Sequence, residues 1–140
     1  MVSNEHSIDV AHVRDGRPRN GRAVLVDRVW PRGQRKDEAP WDEWLKTVAP
    51  STGLRKWYRH DRDKHEEFVR RYCAEIASDE LAEAFEHLQQ LHQSGCLTLM
   101  TATKDLELSQ AQVLAELLTR SADSRAQDPP SDNAFNYVNR

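Results

Sequence analysis

The sequence predicts an α/β fold: a small open, mostly parallel sheet with helices packed on its faces. Two short apolar runs, residues 23–29 and 96–102, read as strands buried on both faces. Between them lie stretches of helical period. A strand that follows a helix of this length implies a crossover and parallel pairing.

Taken in order, residues 8–13 alternate, with Ile8, Val10 and His12 against Asp9, Ala11 and Val13, and form a first strand. Asp15-Gly16-Arg17-Pro18 and Asn20-Gly21 are turn sequences, so this strand either turns back in a hairpin or pairs elsewhere. The strand at 23–29 ends at Pro31 and Gly33, because Pro lacks the ladder donor and Gly permits an unusual turn. Residues 34–39 are a charged loop. Pro40, Asp42 and Glu43 then open a predicted short helix with the stripe Trp41, Trp44, Leu45 and Val48, and Pro50 stops it. Ser51 caps the next helix, which places Leu54, Trp57 and Tyr58 on one side and Arg55, Lys56, Arg59 and His60 on the other.

Asp63 with Glu66 predicts a capping box for a third helix, whose stripe is Phe68, Val69, Tyr72, Cys73 and Ile76. Ser78 caps a fourth, carrying Leu81, Ala84, Phe85, Leu88 and Leu91 and ending at Gly95. After the strand at 96–102, Ser109 with Gln112 caps a last helix whose apolar face is Val113, Leu114, Leu117 and Leu118. Residues 1–120 thus read as one domain. Residues 121–140, polar and interrupted by Pro129-Pro130, are expected to form a flexible tail. Phe135, Tyr137 and Val138 near its end could dock on the domain or on a neighbour, and a homodimer is compatible with the sequence.

With 31% charged residues and no apolar run long enough to cross a bilayer, the chain reads as a soluble, cytoplasmic protein with no membrane role. Cys73 and Cys96 are isolated and read as reduced, partly buried thiols. A net charge of −3 argues against generic nucleic-acid binding. The six histidines make no H-E-x-x-H motif, so no metal site is predicted, and no cofactor motif occurs.

Three stretches can carry chemistry. The first is the turn after the strand at 23–29, with Asp27, Arg28, Trp30 and Arg32. A guanidinium fork suits phosphate or carboxylate, and an indole can stack on a flat ring. The competing structural reading is an internal Asp27–Arg28 ion pair with Trp30 plugging the core. The second is Thr101, Thr103, Lys104 and Asp105, leaving the other core strand. If the two strands are parallel, both turns lie at one sheet edge and form an anion site; otherwise Thr103 and Asp105 merely cap a loop. The third is Arg55, Lys56 and Arg59 interleaved with Trp57 and Tyr58, which could hold a nucleic-acid backbone. A solvated basic face over buried aromatics is the preferred reading there.

The segments VDRVWPRG (26–33), WLKTVAPSTGLRKWYRHD (44–61), EEFVRRYCAEI (66–76) and LTLMTATKD followed by a helix resemble the YeaO-like domain of unknown function, DUF 488. The resemblance covers about residues 8–120 and implies a compact α/β fold and a bacterial cytosolic protein, with no established activity. Two departures from the pattern stand out. Arg62 and His65 occupy positions where Pro and Trp usually follow the HD segment. Ser109-Gln110 stands where an Asn-His pair commonly opens the last helix, which weakens any histidine-based mechanism.

The leading functional expectation is a site for an anionic small molecule, such as a nucleotide or another phosphorylated metabolite. Arg28, Arg32 and Lys104 would neutralise it, Trp30 would stack, and Asp27 or Asp105 would serve as base if the protein is an enzyme. The alternatives are a nucleic-acid-associated module using Arg55, Lys56 and Arg59, and a regulatory domain that binds another protein.

Overall fold

The structure, a computed structural model, describes residues 6–19 and 21–127. Four strands, β1 (Ile8–His12), β2 (Arg22–Leu25), β3 (Glu43–Trp44) and β4 (Leu97–Thr101), form one open sheet in the order β1-β4-β2-β3. Every pairing is parallel, with Val10 and Val24 both opposite Leu99 on the central strand. The helices are α1 (Thr52–Tyr58), α2 (His65–Ile76), α3 (Asp79–Ser94) and α4 (Gln110–Gln127). The first three connect β3 to β4. The fold is therefore α/β.

Strand alternation divides the core in two. Val24, Val26, Leu97 and Leu99 face the helices, where they meet Leu54, Tyr58, Phe68, Tyr72, Leu88 and Leu114. The intervening residues Ala23, Leu25 and Met100 face a second, smaller cluster built on Trp41, with Trp30 and Trp44 packed against it. The helices thus serve one face of the sheet, and tryptophan-bearing connections close the other.

Two expectations are corrected, and one open choice is decided. No helix spans 40–48: the segment is β3 followed by a 3-10 turn at Lys46–Val48. Its backbone donors pair with β2 instead, Asp42 N to Ala23 O at 2.8 Å and Leu45 N to Leu25 O at 2.9 Å. The Trp41–Trp44 spacing that suggested a helix stripe instead brings both indoles edge-on to Trp30, at 5.0 and 5.3 Å between centroids. Second, β1 makes no hairpin with β2, because β4 lies between them. Third, the Asp63–Glu66 box does not form. Asp61 caps a 3-10 turn at Arg62–Lys64, from which α2 starts without a side-chain cap.

Ser78 precedes α3 but makes no side-chain cap bond, its hydroxyl donating to Glu75 O instead, while the serine caps of α1 and α4 form. Ser51 caps α1 by accepting from Leu54 N at 3.1 Å, and Ser109 Oγ accepts from Gln112 N at 3.2 Å. Helix α4 runs to Gln127, past the boundary expected at 121. Pro129-Pro130, Phe135, Tyr137 and Val138 lie outside the described residues. Gly21 has φ +75, and a Cβ there would lie 2.1 Å from the Cys96 carbonyl oxygen, so only glycine lets this turn lie against the start of β4. Both cysteines are free and partly buried. Among the described residues no helix is long and apolar enough to cross a membrane.

Candidate functional site

Because β2 and β4 run parallel as neighbours, their carboxyl ends leave the sheet side by side. Pairing continues one residue past β2, with Val26 N donating to Met100 O at 3.1 Å. Asp27 then bridges the two strand ends. Its Oδ1 accepts from Thr101 Oγ1 at 2.7 Å and from Gln110 Nε2 at 2.6 Å, and its Oδ2 accepts from Ala102 N at 2.8 Å. The Asp27 carbonyl accepts from Trp44 Nε1 at 2.7 Å. This carboxylate is a clamp: three donors already occupy it.

Beyond the clamp opens a cleft of about 370 Å³, lined by Asp27, Arg28, Val29, Trp30, Pro31 and Arg32 from the first turn. Pro50, Arg55, Tyr58, His60, Phe68, Ala102, Thr103 and Gln110 complete it. Arg28 and Asp27 form no ion pair. Instead Arg28 Nε donates to Pro50 O at 3.2 Å and Nη2 to Ala49 O at 3.4 Å. Those two bonds take up one edge of the guanidinium and hold its plane, which leaves the terminal edge with donors to spare. Among the described residues neither Arg28, Arg32 nor Arg55 has a carboxylate partner. The lining therefore carries three guanidiniums against one carboxylate.

His60 sits at the mouth. Helix α1 ends in two successive left-handed residues, Arg59 at φ 50 and His60 at φ 56, a conformation that costs non-glycine residues energy. The turn sets the His60 ring edge-on to Tyr58 at 5.5 Å, with Nε2 3.4 Å from Thr103 Oγ1. Burial lowers the His60 pKa, Asp27 and Asp105 oppose that, and Arg55 reinforces it. Burial thus favours the neutral ring.

The residues singled out in sequence divide clearly. Asp27, Arg28, Trp30, Arg32 and Thr103 line the cleft, and Thr101 supports it from beneath through Asp27. Lys104 is exposed and does not line it, so the expected third cation from β4 is absent. Asp105 pairs instead with Arg62 at 3.3 Å. Trp30 is committed to the tryptophan cluster, and its Nε1 donates to Gln34 O at 2.8 Å. Of the basic stretch on α1, Arg55 lines the cleft while Lys56 and Arg59 are exposed outside it. The sequence reading set Arg55, Tyr58 and His60 in a separate basic stretch rather than in the cleft, and it gave Gln110 no part in the site. The signal for Gln110 was its place directly after the Ser109 cap, where a helix start meets the strand ends.

Both residues of the first departure from the family pattern have structural uses. Arg62 holds Asp105, and His65 Nδ1 lies 2.9 Å from the Tyr58 hydroxyl, which itself donates to Leu108 O at 2.8 Å. Since that hydroxyl has one proton, His65 Nδ1 is the donor to it. Among the described residues no group of three or more His, Cys, Asp or Glu side chains could hold a metal ion.

Fold and cleft together define a small, all-parallel α/β domain with an arginine-lined cleft at its strand ends. The chain belongs to the DUF488 family, through the group described as "Inactive DUF488-N3 subclade", which matches residues 8–137. It is 42% identical over 115 residues to the uncharacterized protein Rv3073c of Mycobacterium tuberculosis, covering 81% of this chain and 95% of that one. It is 36% identical over 99 residues to the uncharacterized protein YeaO of Escherichia coli, covering 71% of this chain and 84% of that one. No solved structure matches it.

Proposed function

We propose that the protein binds an anionic small molecule, a phosphorylated metabolite or nucleotide, in the cleft at the ends of β2 and β4, and holds it without turning it over. The observation that carries this reading is Arg28. Two backbone carbonyls fix its guanidinium at the lining of the cleft, and among the described residues it makes no ion pair with a carboxylate. A charge kept in a partly enclosed site without a partner is costly, and a bound anion removes the cost. Binding without turnover is supported by the family's description as inactive, by the three donors on Asp27, and by Gln110, which cannot titrate. The nucleic-acid alternative is weakened because Arg55 lines the cleft whereas Lys56 and Arg59 do not.

Calorimetric titration with adenosine 5′-monophosphate tests the reading. Saturable one-site binding is expected, weakened by Arg55→Gln and by Arg28→Lys. Undetectable binding of this probe and of inorganic phosphate at millimolar concentration would refute it.

A further inference from the structure

The charge and donor count of the cleft narrow its ligand. We infer that the cleft formed by Arg28, Arg32, Arg55 and Thr103 selects a small phosphomonoester in its doubly charged form over phosphodiesters and carboxylates. This inference rests on the anion-binding reading above.

Three guanidiniums against the Asp27 carboxylate leave two positive charges over. A phosphomonoester near neutral pH carries about −1.5 to −2 and matches that excess. A diester or a carboxylate carries a single charge and would leave one positive charge of the lining uncompensated.

The hydrogen-bonding inventory points the same way. Guanidiniums only donate, and the oxygens of Asp27 are already occupied. The free side of the cleft is thus rich in donors and poor in acceptors. A ligand group with three unprotonated terminal oxygens satisfies it, one for each guanidinium. A diester has two such oxygens, and esterification removes the third. The terminal edge of Arg28 faces this task with its plane already fixed, which lowers the ordering cost of a bidentate contact.

Size argues for a small molecule rather than a polymer. The cleft holds about 370 Å³, near the lower end of the range of small-molecule sites. The basic residues beyond it that could track a chain, Lys56 and Arg59, do not continue its lining.

The test is a titration of the full chain with glycerol 3-phosphate, dimethyl phosphate, acetate and sulfate at pH 7.5, repeated at pH 5.5. Glycerol 3-phosphate and sulfate should bind, and dimethyl phosphate and acetate should bind at least about tenfold more weakly. Sulfate keeps both charges at either pH, whereas the monoester loses its second charge near pH 6. The affinity ratio of glycerol 3-phosphate to sulfate should therefore fall at pH 5.5, with any change in the protein's own charge cancelling. Arg55→Gln, at an exposed position, should narrow the gap between mono- and diester while leaving the fold intact. Equal binding of dimethyl phosphate and glycerol 3-phosphate would overturn the inference and leave the anion-binding reading standing. Failure of every anion to bind would overturn that reading itself. A 5′-phosphorylated oligonucleotide binding a hundredfold more tightly than glycerol 3-phosphate would overturn the assignment to a small molecule.

Discussion

Gln110, in the first turn of α4, donates its amide to Asp27 Oδ1 across 2.6 Å and so ties the last helix to the end of β2. The same amide nitrogen lies 3.3 Å from the Val26 carbonyl. A single neutral side chain thus joins the floor of the cleft to both the strand end and the helix start.

Removing either partner has a definite expected cost. Asp27→Ala leaves the Thr101 hydroxyl, the Ala102 amide and the Gln110 amide without their acceptor, and should destabilise the fold by about 3 kcal/mol. Gln110→Leu removes one donor of three and should cost about 1–2 kcal/mol. Urea unfolding of both variants checks the order. Equal, negligible losses would mean that the clamp contributes nothing.

Gly21→Ala should be among the most damaging single-methyl changes in the protein. The new Cβ would meet the Cys96 carbonyl at 2.1 Å, and the backbone already lies at φ +75. Strain and clash together should cost at least about 2 kcal/mol, seen as a fall of many degrees in Tm. A Tm within a degree of the parent would contradict the packing of this turn against β4.

Stability should fall in strong alkali. Burial, aided by Asp105 and Asp61 and opposed by Arg62, pushes the Tyr58 hydroxyl up to about 12 from 10.0. Tyr72, wholly buried with its hydroxyl on the Val48 carbonyl, is shifted upward too. A folded-state pKa above the unfolded one favours the fold fully below pH 10, and that contribution disappears as pH rises toward 12. Denaturant midpoints measured from pH 9 to 12 should decline in this window. Tyr58→Phe should flatten the decline while lowering stability near pH 8 by about 1 kcal/mol, through loss of the bond to Leu108 O.

Much of the fold was legible because it rests on local periods. Phe68, Tyr72 and Ile76 repeat as a helix stripe and are buried as one, and the runs read as strands at 23–29 and 96–102 contain β2 and β4, although β2 already ends at Leu25. The segment at 40–48 misled for a physical reason. Trp41 and Trp44 satisfy a helical spacing, but the only criterion that separates helix from strand there is where the backbone donors go, and β2 supplies their acceptors. Sequence also placed Arg28 and Arg32 at the strand ends correctly in kind, yet it could not see Arg55. That residue lines the cleft together with Arg28 and Arg32, far from it in the chain, a tertiary fact with no local signature. Lys104 shows the converse: proximity to a strand end does not fix where a side chain lies.

His60 should make anion binding sensitive to pH. Its pKa lies below the usual 6.5 because burial disfavours the charged ring. The charged groups acting on it are Asp27, Arg55 and Asp105. Folding stability from the neutral ring is present above 6.5 and is lost as pH falls through the lowered value. Protonation adds a positive charge at the mouth of the cleft, so sulfate affinity should rise over that same interval. His60→Gln should abolish the rise, and an unchanged pH profile in that variant would show that another group is responsible.

The location of the site can be mapped directly. Backbone amide shifts of the isotopically labelled protein, followed by NMR as inorganic phosphate is added, should move for residues 27–30, 32, 33, 60 and 101–104, with the arginine Nε–H of Arg28 among the largest changes. The response should saturate on one binding curve. Shifts confined to another surface, or none at concentrations where the protein stays folded, would contradict the cleft at the ends of β2 and β4 as an anion site.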